Sequence, residues 1–263
     1  MSESTDPIKI ERDGNVYVAT LDDPPLNLFR QRTFEQMAEI RDEVNASDAR
    51  AFVWKGSGGK VFSGGVDVEG FTKIKNGEEG IKAAGEGVYQ LSAFERIEVP
   101  TFALVEGLCL TAAFEAALGC DMIFASKTAS FGLVERVVAL TPFGGGVQRM
   151  AERAGAARAR EFVYSGKPYD AQTMLEWGVV NRLYEPDEML EKTMKFVHHV
   201  ANGPTQANIA TKRIVRKVLD EGVAAADAAT GEIAGPLFDT EDLKNAVQSF
   251  LTEGPGKATY EGR

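Results

Sequence analysis

The sequence predicts an α/β fold over residues 1–185, followed by a helical region over residues 186–263. In the first region, short apolar segments alternate with longer segments whose apolar residues recur at helical spacing, which is typical of a layered α/β core. In the second region the short apolar segments stop, and helical segments separated by Gly-Pro pairs follow one another. We therefore expect residues 1–185 to form the core that carries the functional site.

The N-terminal elements are predicted by alternation and turn chemistry. Residues 8–12 and 16–21 alternate between apolar and polar side chains around Asp13-Gly14-Asn15, which predicts a β-hairpin. Further elements are expected along the core in this order: a loop at 22–27, a helix carrying Phe34, Met37, Ile40 and Val44, a strand at 51–55, a glycine-rich loop at 56–65, a helix carrying Ile81, Ala84, Val88, Leu91 and Phe94, a strand at 101–105, a short helix near 111–118 and a strand at 121–125. The C-terminal helices are expected at 186–201, 205–219, 223–234 and 240–251.

Composition and charge exclude several classes of protein. Hydrophobic residues make up 44% and charged residues 26% of the chain, as in ordinary globular proteins. The net charge of −10 argues against nucleic-acid binding, which needs clustered lysine and arginine. The apolar stretch 104–124 is interrupted by acidic residues, so we expect no membrane span, and the polar start predicts no signal peptide. With two cysteines and no disulfide pattern, a cytoplasmic protein is expected.

The histidines and cysteines do not predict a metal site. His198 and His199 are adjacent, so on a helix they point to different faces, and no HExxH or CxxC spacing occurs. We therefore expect no metal.

The glycine-rich loop at 56–65 does not match a nucleotide-binding motif. Lys60 is not followed by Ser or Thr, and the glycine spacing does not match GxGxxG. A flexible turn is one interpretation. The other comes from Phe62-Ser-Gly-Gly-Val-Asp67, in which an aromatic anchor and two glycines let the backbone approach a ligand and leave the next N–H free to contact it.

Two carboxylates lie within apolar sequence. Glu115 is surrounded by apolar or small residues, and Glu135 has apolar neighbours apart from Arg136. A buried carboxylate costs several kcal/mol unless it is paired or hydrogen-bonded, so ion pairs inside the fold are one explanation. Thr111 is a candidate N-cap, which would direct the free N–H groups of its helix towards negative charge. Two carboxyls in one apolar cleft would suit general acid/base catalysis.

These segments resemble the enoyl-CoA hydratase/isomerase (crotonase) superfamily. Phe62-Ser-Gly-Gly-Val-Asp67 is similar to the family's Phe-x-Ala-Gly-Ala-Asp segment. Further similar segments are the loop at 25–27, the strand–glycine–helix–Cys-Asp segment at 100–121, the second catalytic region at 131–149, and the turns at 165–171 and 177–181. The resemblance covers nearly the whole chain.

The resemblance implies a spiral of ββα turns, a helical trimerisation region and a homotrimer or a dimer of trimers. It also implies hydration of a 2-enoyl-CoA by Glu115 and Glu135, with the thioester carbonyl held by the N–H groups of Val66 and Ala112. Coenzyme A would be part of the substrate, and no separate cofactor is implied. The substrate contacts carried over by position are Leu26, Ser63, Gly65, Asp67, Val68 and Pro142. The cationic residues Lys212, Arg213, Arg216 and Lys217 could meet the phosphates of coenzyme A or form a solvated face.

Three departures from the family pattern bear on the substrate. Ala112 stands where glycine is usual, Phe143 replaces a small residue, and Val134 precedes Glu135 where proline is common. These changes would reshape the acyl site. The alternatives are therefore an enoyl-CoA isomerase, an acyl-CoA hydrolase, a hydratase-lyase or a non-catalytic acyl-CoA binding protein.

Overall fold

The structure, a computed structural model, describes residues 6–263. These residues contain the strands β1 (Ile8–Asp13), β2 (Val16–Leu21), β3 (Ala51–Gly56), β4 (Val61–Ser63), β5 (Thr101–Val105), β6 (Leu108–Leu110), β7 (Met122–Ser126), β8 (Ser130–Gly132), β9 (Tyr169–Asp170) and β10 (Arg182–Tyr184). They also contain the helices α1 (Gln31–Ala46), α2 (Gly77–Leu91), α3 (Ala112–Leu118), α4 (Gly146–Ala154), α5 (Ala156–Ser165), α6 (Ala171–Glu176), α7 (Met189–Ala201), α8 (Thr205–Glu221), α9 (Val223–Ala234) and α10 (Glu241–Glu253). The 3-10 helices are Val68–Lys73, Phe94–Arg96, Glu135–Val138 and Gly235–Asp239.

The larger sheet has six strands in the order β1-β2-β3-β5-β7-β10. β1 and β2 form the expected antiparallel hairpin, and the remaining neighbours are parallel. All five residues of β5 are buried, as expected for a central parallel strand that is covered on both faces. This explains why these strands read as continuous apolar segments in the sequence.

The smaller sheet has four strands in the order β4-β6-β8-β9. Its first strand, β4, lies inside the segment that we expected to be a loop, so that expectation was wrong at residues 61–63. The pairing of β4 with β6 and the burial of Phe62 against Trp54 stabilise this strand. Successive strand pairs β3/β4, β5/β6 and β7/β8 each place one strand in each sheet, with α2 and α3 between the pairs. This is the expected α/β spiral of ββα turns.

The second predicted helix is shorter and more exposed than its apolar pattern indicated. α2 ends at Leu91, and Phe94 lies in a separate 3-10 turn. Ile81 is 78% exposed, so the apolar face is buried only at its C-terminal end. The middle and the C-terminal end of α2 border an open pocket, which periodicity alone cannot indicate.

The four C-terminal helices form as expected, and the first of them joins the core. Met189, Val197 and Ala201 of α7 pack on the larger sheet in one cluster with residues of β2, β3, β5 and β7. Arg50 holds the following segment, since its guanidinium donates to Thr205 Oγ1 at 2.7 Å and to the carbonyl of Tyr260 at 3.0 Å. Within residues 6–263, none of the helices has the length and apolar character needed to span a membrane.

Candidate active site

A cavity of about 760 Å³ opens between α2, the 3-10 helix at 68–73 and the first residues of α1 and α3. Its walls are mainly apolar. The residues lining the apolar part are Phe29, Phe34, Val66, Phe71, Ile74, Ala83, Leu91, Ala112 and Phe143. Both glutamates singled out in the sequence, Glu115 and Glu135, line the same cavity. Two carboxyls distant in sequence therefore meet in one largely apolar pocket.

Glu115 is held by main-chain amides. It lies on α3, is 4% exposed, and its Oε1 accepts hydrogen bonds from the N–H groups of Gly144 and Gly146, each at 2.9 Å. Burial raises the pKa of Glu115, while these two amides and the nearby Arg149 act in the opposite direction. Because an amide N–H can donate but not accept, the two bonds favour the ionised form of Glu115.

Glycine is required where this contact is made. A Cβ on Gly144 would lie 2.6 Å from Glu115 Oε2, and one on Gly146 would lie 2.8 Å from Glu115 Cγ. The run of three glycines at 144–146, which leads into α4, thus lets the backbone approach the carboxyl. These glycines lie in the region 131–149 that carries part of the resemblance, but their contact with Glu115 was not foreseen.

Glu135 has a different environment. It begins the 3-10 helix that follows β8, is 7% exposed, and its buried Oε2 has no hydrogen-bond partner among residues 6–263. Burial and the charge of Glu115 raise the pKa of Glu135 to about 8. Glu135 is therefore mainly protonated at neutral pH.

Ion pairing does not explain the two buried carboxyls. In the part of the chain that the structure describes, neither glutamate forms a salt bridge, and Arg149 pairs with Glu95 instead. The explanation by ion pairs inside the fold therefore does not hold. One carboxyl that favours ionisation and one that favours protonation are the complementary states that general base and general acid catalysis need.

The two amides expected to hold a carbonyl also lie at this cavity. Val66 and Ala112 both line it. The Ala112 N–H, at the first position of α3, forms no hydrogen bond with any residue in 6–263, whereas the Val66 N–H donates to Thr111 Oγ1 at 3.1 Å. Thr111 occupies the N-cap position as expected, and its side chain makes no capping hydrogen bond to α3.

The residues expected to contact substrate are spread over more than the pocket wall. Asp67 lines the cavity and also accepts a hydrogen bond from Arg30 Nε at 3.0 Å. The other five residues are not among those that line the cavity. Leu26 and Val68 are exposed, whereas Ser63 and Pro142 are buried. Gly65 has a positive φ of 96°. Ser63 Oγ donates to the carbonyl of Asn27 at 2.6 Å and accepts from Gly65 N at 3.0 Å, which orders the loop leading to Val66.

Two features of the pocket were missed in the sequence. Phe71 packs against Phe143 with ring centroids 5.9 Å apart, and both rings line the cavity. Phe143 was noted as a departure from the family, but its partner is brought close only by the fold. Thr111, whose hydroxyl contacts the Val66 amide, was considered only as a helix cap.

The basic cluster on α8 is neutralised within the chain. Lys212 pairs with Asp121, Arg213 with Glu98 and Lys217 with Glu221, at 2.9, 2.9 and 2.6 Å. Arg216 pairs with Asp220 and Glu95. These contacts favour the interpretation of this cluster as a solvated, ion-paired face.

Comparisons with known proteins agree with the architecture. The profile of the enoyl-CoA hydratase/isomerase family matches residues 11–262. The chain is 29% identical to a short-chain-enoyl-CoA hydratase of Clostridium acetobutylicum, covering 92% of this chain and 93% of the relative. It is 31% identical to a carnitinyl-CoA dehydratase of Salmonella heidelberg, covering 95% and 96%.

Solved structures show the same fold. The crystal structure of an enoyl-CoA hydratase from Bacillus anthracis superposes with a TM-score of 0.90 at 23% identity, covering 98% of this chain and 100% of the other. A second, an enoyl-CoA hydratase from Geobacillus kaustophilus, has a TM-score of 0.92 at 22% identity, covering 99% and 98%.

Proposed function

The chain belongs to the enoyl-CoA hydratase/isomerase family, and from that membership we propose that it adds water across the double bond of a 2-enoyl-CoA thioester. The observation that carries the proposal is the unequal pair of carboxyls in one apolar pocket. Glu115 accepts two main-chain N–H bonds, and the pKa of Glu135 is raised to about 8. A hydratase needs one base and one acid on the same substrate.

The geometry supports the following course of reaction. Ionised Glu115 removes a proton from water as the water oxygen bonds to the β-carbon. The electron pair of the double bond moves towards the thioester carbonyl, whose oxygen gains negative charge near the Ala112 N–H. Protonated Glu135 then delivers its proton to the α-carbon. The proton taken up by Glu115 restores the starting state after transfer to Glu135 through solvent, so the atoms and charges balance.

A panel of 2-enoyl-CoA thioesters tests this function. Hydration removes the conjugated absorbance and adds the mass of one water to the product. We expect Glu115→Gln and Glu135→Gln each to lower kcat by about 10²–10⁴-fold, since each removes one proton-transfer group. Glu86→Gln, a charge change at the exposed side of the same pocket, is the matched control and should retain activity.

Three other outcomes would replace this proposal. A product with a shifted double bond and unchanged mass would indicate an isomerase. Release of free coenzyme A would indicate a hydrolase, whereas cleavage into an aldehyde and a shorter acyl-CoA would indicate a hydratase-lyase. Tight acyl-CoA binding with no turnover across the panel would indicate a non-catalytic binding protein.

The reverse reaction is a second candidate. A relative that is 31% identical is named a carnitinyl-CoA dehydratase, and removal of water needs the same acid and base with their roles exchanged. Incubation with 3-hydroxyacyl-CoA thioesters, with or without a quaternary ammonium at the fourth carbon, would show whether loss of water is faster than its addition.

We also propose that the protein is a cytoplasmic homotrimer or a dimer of trimers. Large apolar side chains are exposed along the C-terminal helices, which supports an interface there. They are Leu219, Val223, Phe238, Val247, Phe250 and Leu251. Light scattering on the purified protein should give three or six times the 28.4 kDa chain mass, and a monomer would contradict the assembly.

A further inference from the structure

Thr111 has a backbone conformation that is unusual for a β-branched residue. Its φ is 45° and its ψ is −121°, a region that glycine reaches easily and threonine does not. The backbone is held there from both sides, because Thr111 N–H donates to Gly132 at 2.8 Å and its carbonyl accepts from Glu115 at 2.9 Å. A strained residue that is fixed in this way beside a pocket suggests a functional reason for its side chain.

The Thr111 hydroxyl lies next to the amide expected to hold the substrate carbonyl. Its Oγ1 accepts the Val66 N–H at 3.1 Å. A Cβ on Gly65 would lie only 1.8 Å from that oxygen, so glycine at position 65 makes room for the hydroxyl. Thr111, Gly65 and Val66 therefore form one arrangement, which we name the hydroxyl cap.

The hydroxyl cap leaves one donor unused. Oγ1 accepts from Val66, and the hydroxyl proton has no acceptor among residues 6–263 although Thr111 is buried. A buried hydroxyl normally uses its proton in a hydrogen bond. Val66, whose N–H contacts the hydroxyl, and Ala112, the next residue in the chain, both line the cavity, whereas Thr111 itself is not among the lining residues. The Ala112 nitrogen is four covalent bonds from Oγ1, which keeps the two donors close to each other.

We propose that the Thr111 hydroxyl, and not the Val66 amide, donates a hydrogen bond to the thioester carbonyl oxygen alongside the Ala112 N–H. The Val66 N–H polarises the hydroxyl from behind, and a chain of hydrogen bonds strengthens its terminal donor. Negative charge that develops on the carbonyl oxygen is then stabilised by one amide and one hydroxyl. The proposal rests on the proposed function in that it requires a thioester ligand, but it does not require hydration.

Three substitutions at position 111 separate the possibilities. Thr111→Ser keeps the hydroxyl and should retain kcat within about threefold. Thr111→Val keeps the shape and covers the Val66 amide without offering a donor, so kcat should fall by about 10²–10³-fold with a much smaller change in KM, as when one oxyanion donor is removed. Thr111→Gly uncovers the Val66 amide, which can then donate directly, and should stay within about tenfold of the wild type.

A spectroscopic measurement separates this proposal from the proposed function. In the Glu135→Gln background, where turnover is expected to be slow, an enoyl-CoA with a carbon-13 label at the thioester carbonyl is bound and its infrared band is recorded before it reacts. The hydrogen bonds should shift the carbonyl band to lower frequency when position 111 is threonine, serine or glycine. The shift should be smaller in Thr111→Val. If valine does not fold, as judged by circular dichroism, cysteine replaces it as a weak donor of similar size and should also reduce the shift.

Two results would overturn the role of Thr111. Valine with wild-type kcat and an unchanged carbonyl band would show that the hydroxyl contributes nothing to the carbonyl. A kcat for Thr111→Gly at least tenfold higher than that of the wild type would show that the hydroxyl only obstructs the Val66 amide. If the carbonyl band shifts as expected but no water is added to any substrate, the proposed hydration fails while the role of Thr111 stands.

Discussion

Glu115 and Glu135 are both buried, but the atoms around their carboxyl groups differ. Two amide donors surround Glu115, while one oxygen of Glu135 has no partner among residues 6–263. A carboxylate that accepts hydrogen bonds keeps its charge more easily than one in an apolar environment. Because of this difference, and not of burial alone, we propose Glu115 as the base and Glu135 as the acid.

The pH dependence of hydration should reflect this assignment. Glu135 must be protonated, and its pKa is raised to about 8, so kcat/KM should fall as the pH rises through about 8. Glu115 must be ionised, and burial raises its pKa above the ordinary 4.5, so the acid limb should lie above pH 4.5. Initial rates between pH 5 and pH 10 would measure both limbs. A rate that stays constant up to pH 10 would contradict Glu135 as the acid.

Folding stability should also depend on Glu135. Its pKa is raised from 4.5 to about 8 by folding, so the folded state binds the proton more tightly and stability falls as the pH rises between these values. Glu135→Gln removes this dependence. We expect the variant to be more stable than the wild type by about 1–3 kcal/mol at pH 8, after allowance for its buried amide, with no gain near pH 4.5. Urea unfolding at both pH values checks this, and an equal difference at both would refute it.

At the scale of elements, the contact between α3 and the start of α4 positions Glu115, the proposed base. All seven residues of α3 are buried, which fixes Glu115 from its own side. The glycines before α4 fix it from the other side, because only a residue without a side chain lets the backbone come so close. Glu115 is therefore oriented by two elements, since Gly144 lies 29 residues further along the sequence.

A methyl group at Gly144 should disturb this contact. Its Cβ would lie 2.1 Å from Leu91 Cδ1 and 2.6 Å from Glu115 Oε2, so Gly144→Ala should destabilise the fold by about 1–3 kcal/mol and lower kcat at least tenfold. Gly231→Ala is the control, since this exposed glycine in α9 has open space around it and alanine favours a helix. Thermal unfolding and kcat should be measured for both variants. If Gly231→Ala lowered stability and kcat as much as Gly144→Ala, the effect of Gly144→Ala would not be specific to its contact with Glu115.

At the scale of the whole molecule, the pocket lies between α2 and the loops at the ends of the strands. Phe143 approaches Gly87 of α2, with 3.5 Å from Phe143 Cδ2 to the position of a Cβ on that glycine. The size of this pocket thus depends on the position of α2 relative to Phe71 and Phe143.

The acyl-chain preference should respond to position 87. Gly87→Leu would fill part of the cavity between α2 and Phe143, so kcat/KM for long or branched enoyl thioesters should fall at least tenfold while that for crotonyl-CoA changes little. Gly85→Leu, on the exposed side of the same helix, is the matched control. An equal loss for short and long substrates would mean that this part of the pocket does not hold the acyl chain.

The fold class, most helices and strands, and the two glutamates followed from the sequence alone. Hydrophobic periodicity and the residue types of turns are local properties of the sequence. A carboxylate inside an apolar segment can also be recognised from the sequence. The exceptions have physical reasons: β4 depends on pairing with β6, and the exposure of Ile81 depends on where α2 stands.

The contacts that distinguish the two carboxyls, and the hydrogen bond from Val66 to Thr111, required the tertiary structure. Each joins residues that are distant in the chain: Gly144 and Gly146 reach Glu115, and position 66 reaches position 111. Residue types and spacing limit which groups can ionise or donate. Only the folded backbone determines which N–H faces which oxygen, and those distances set the proton affinity of each group.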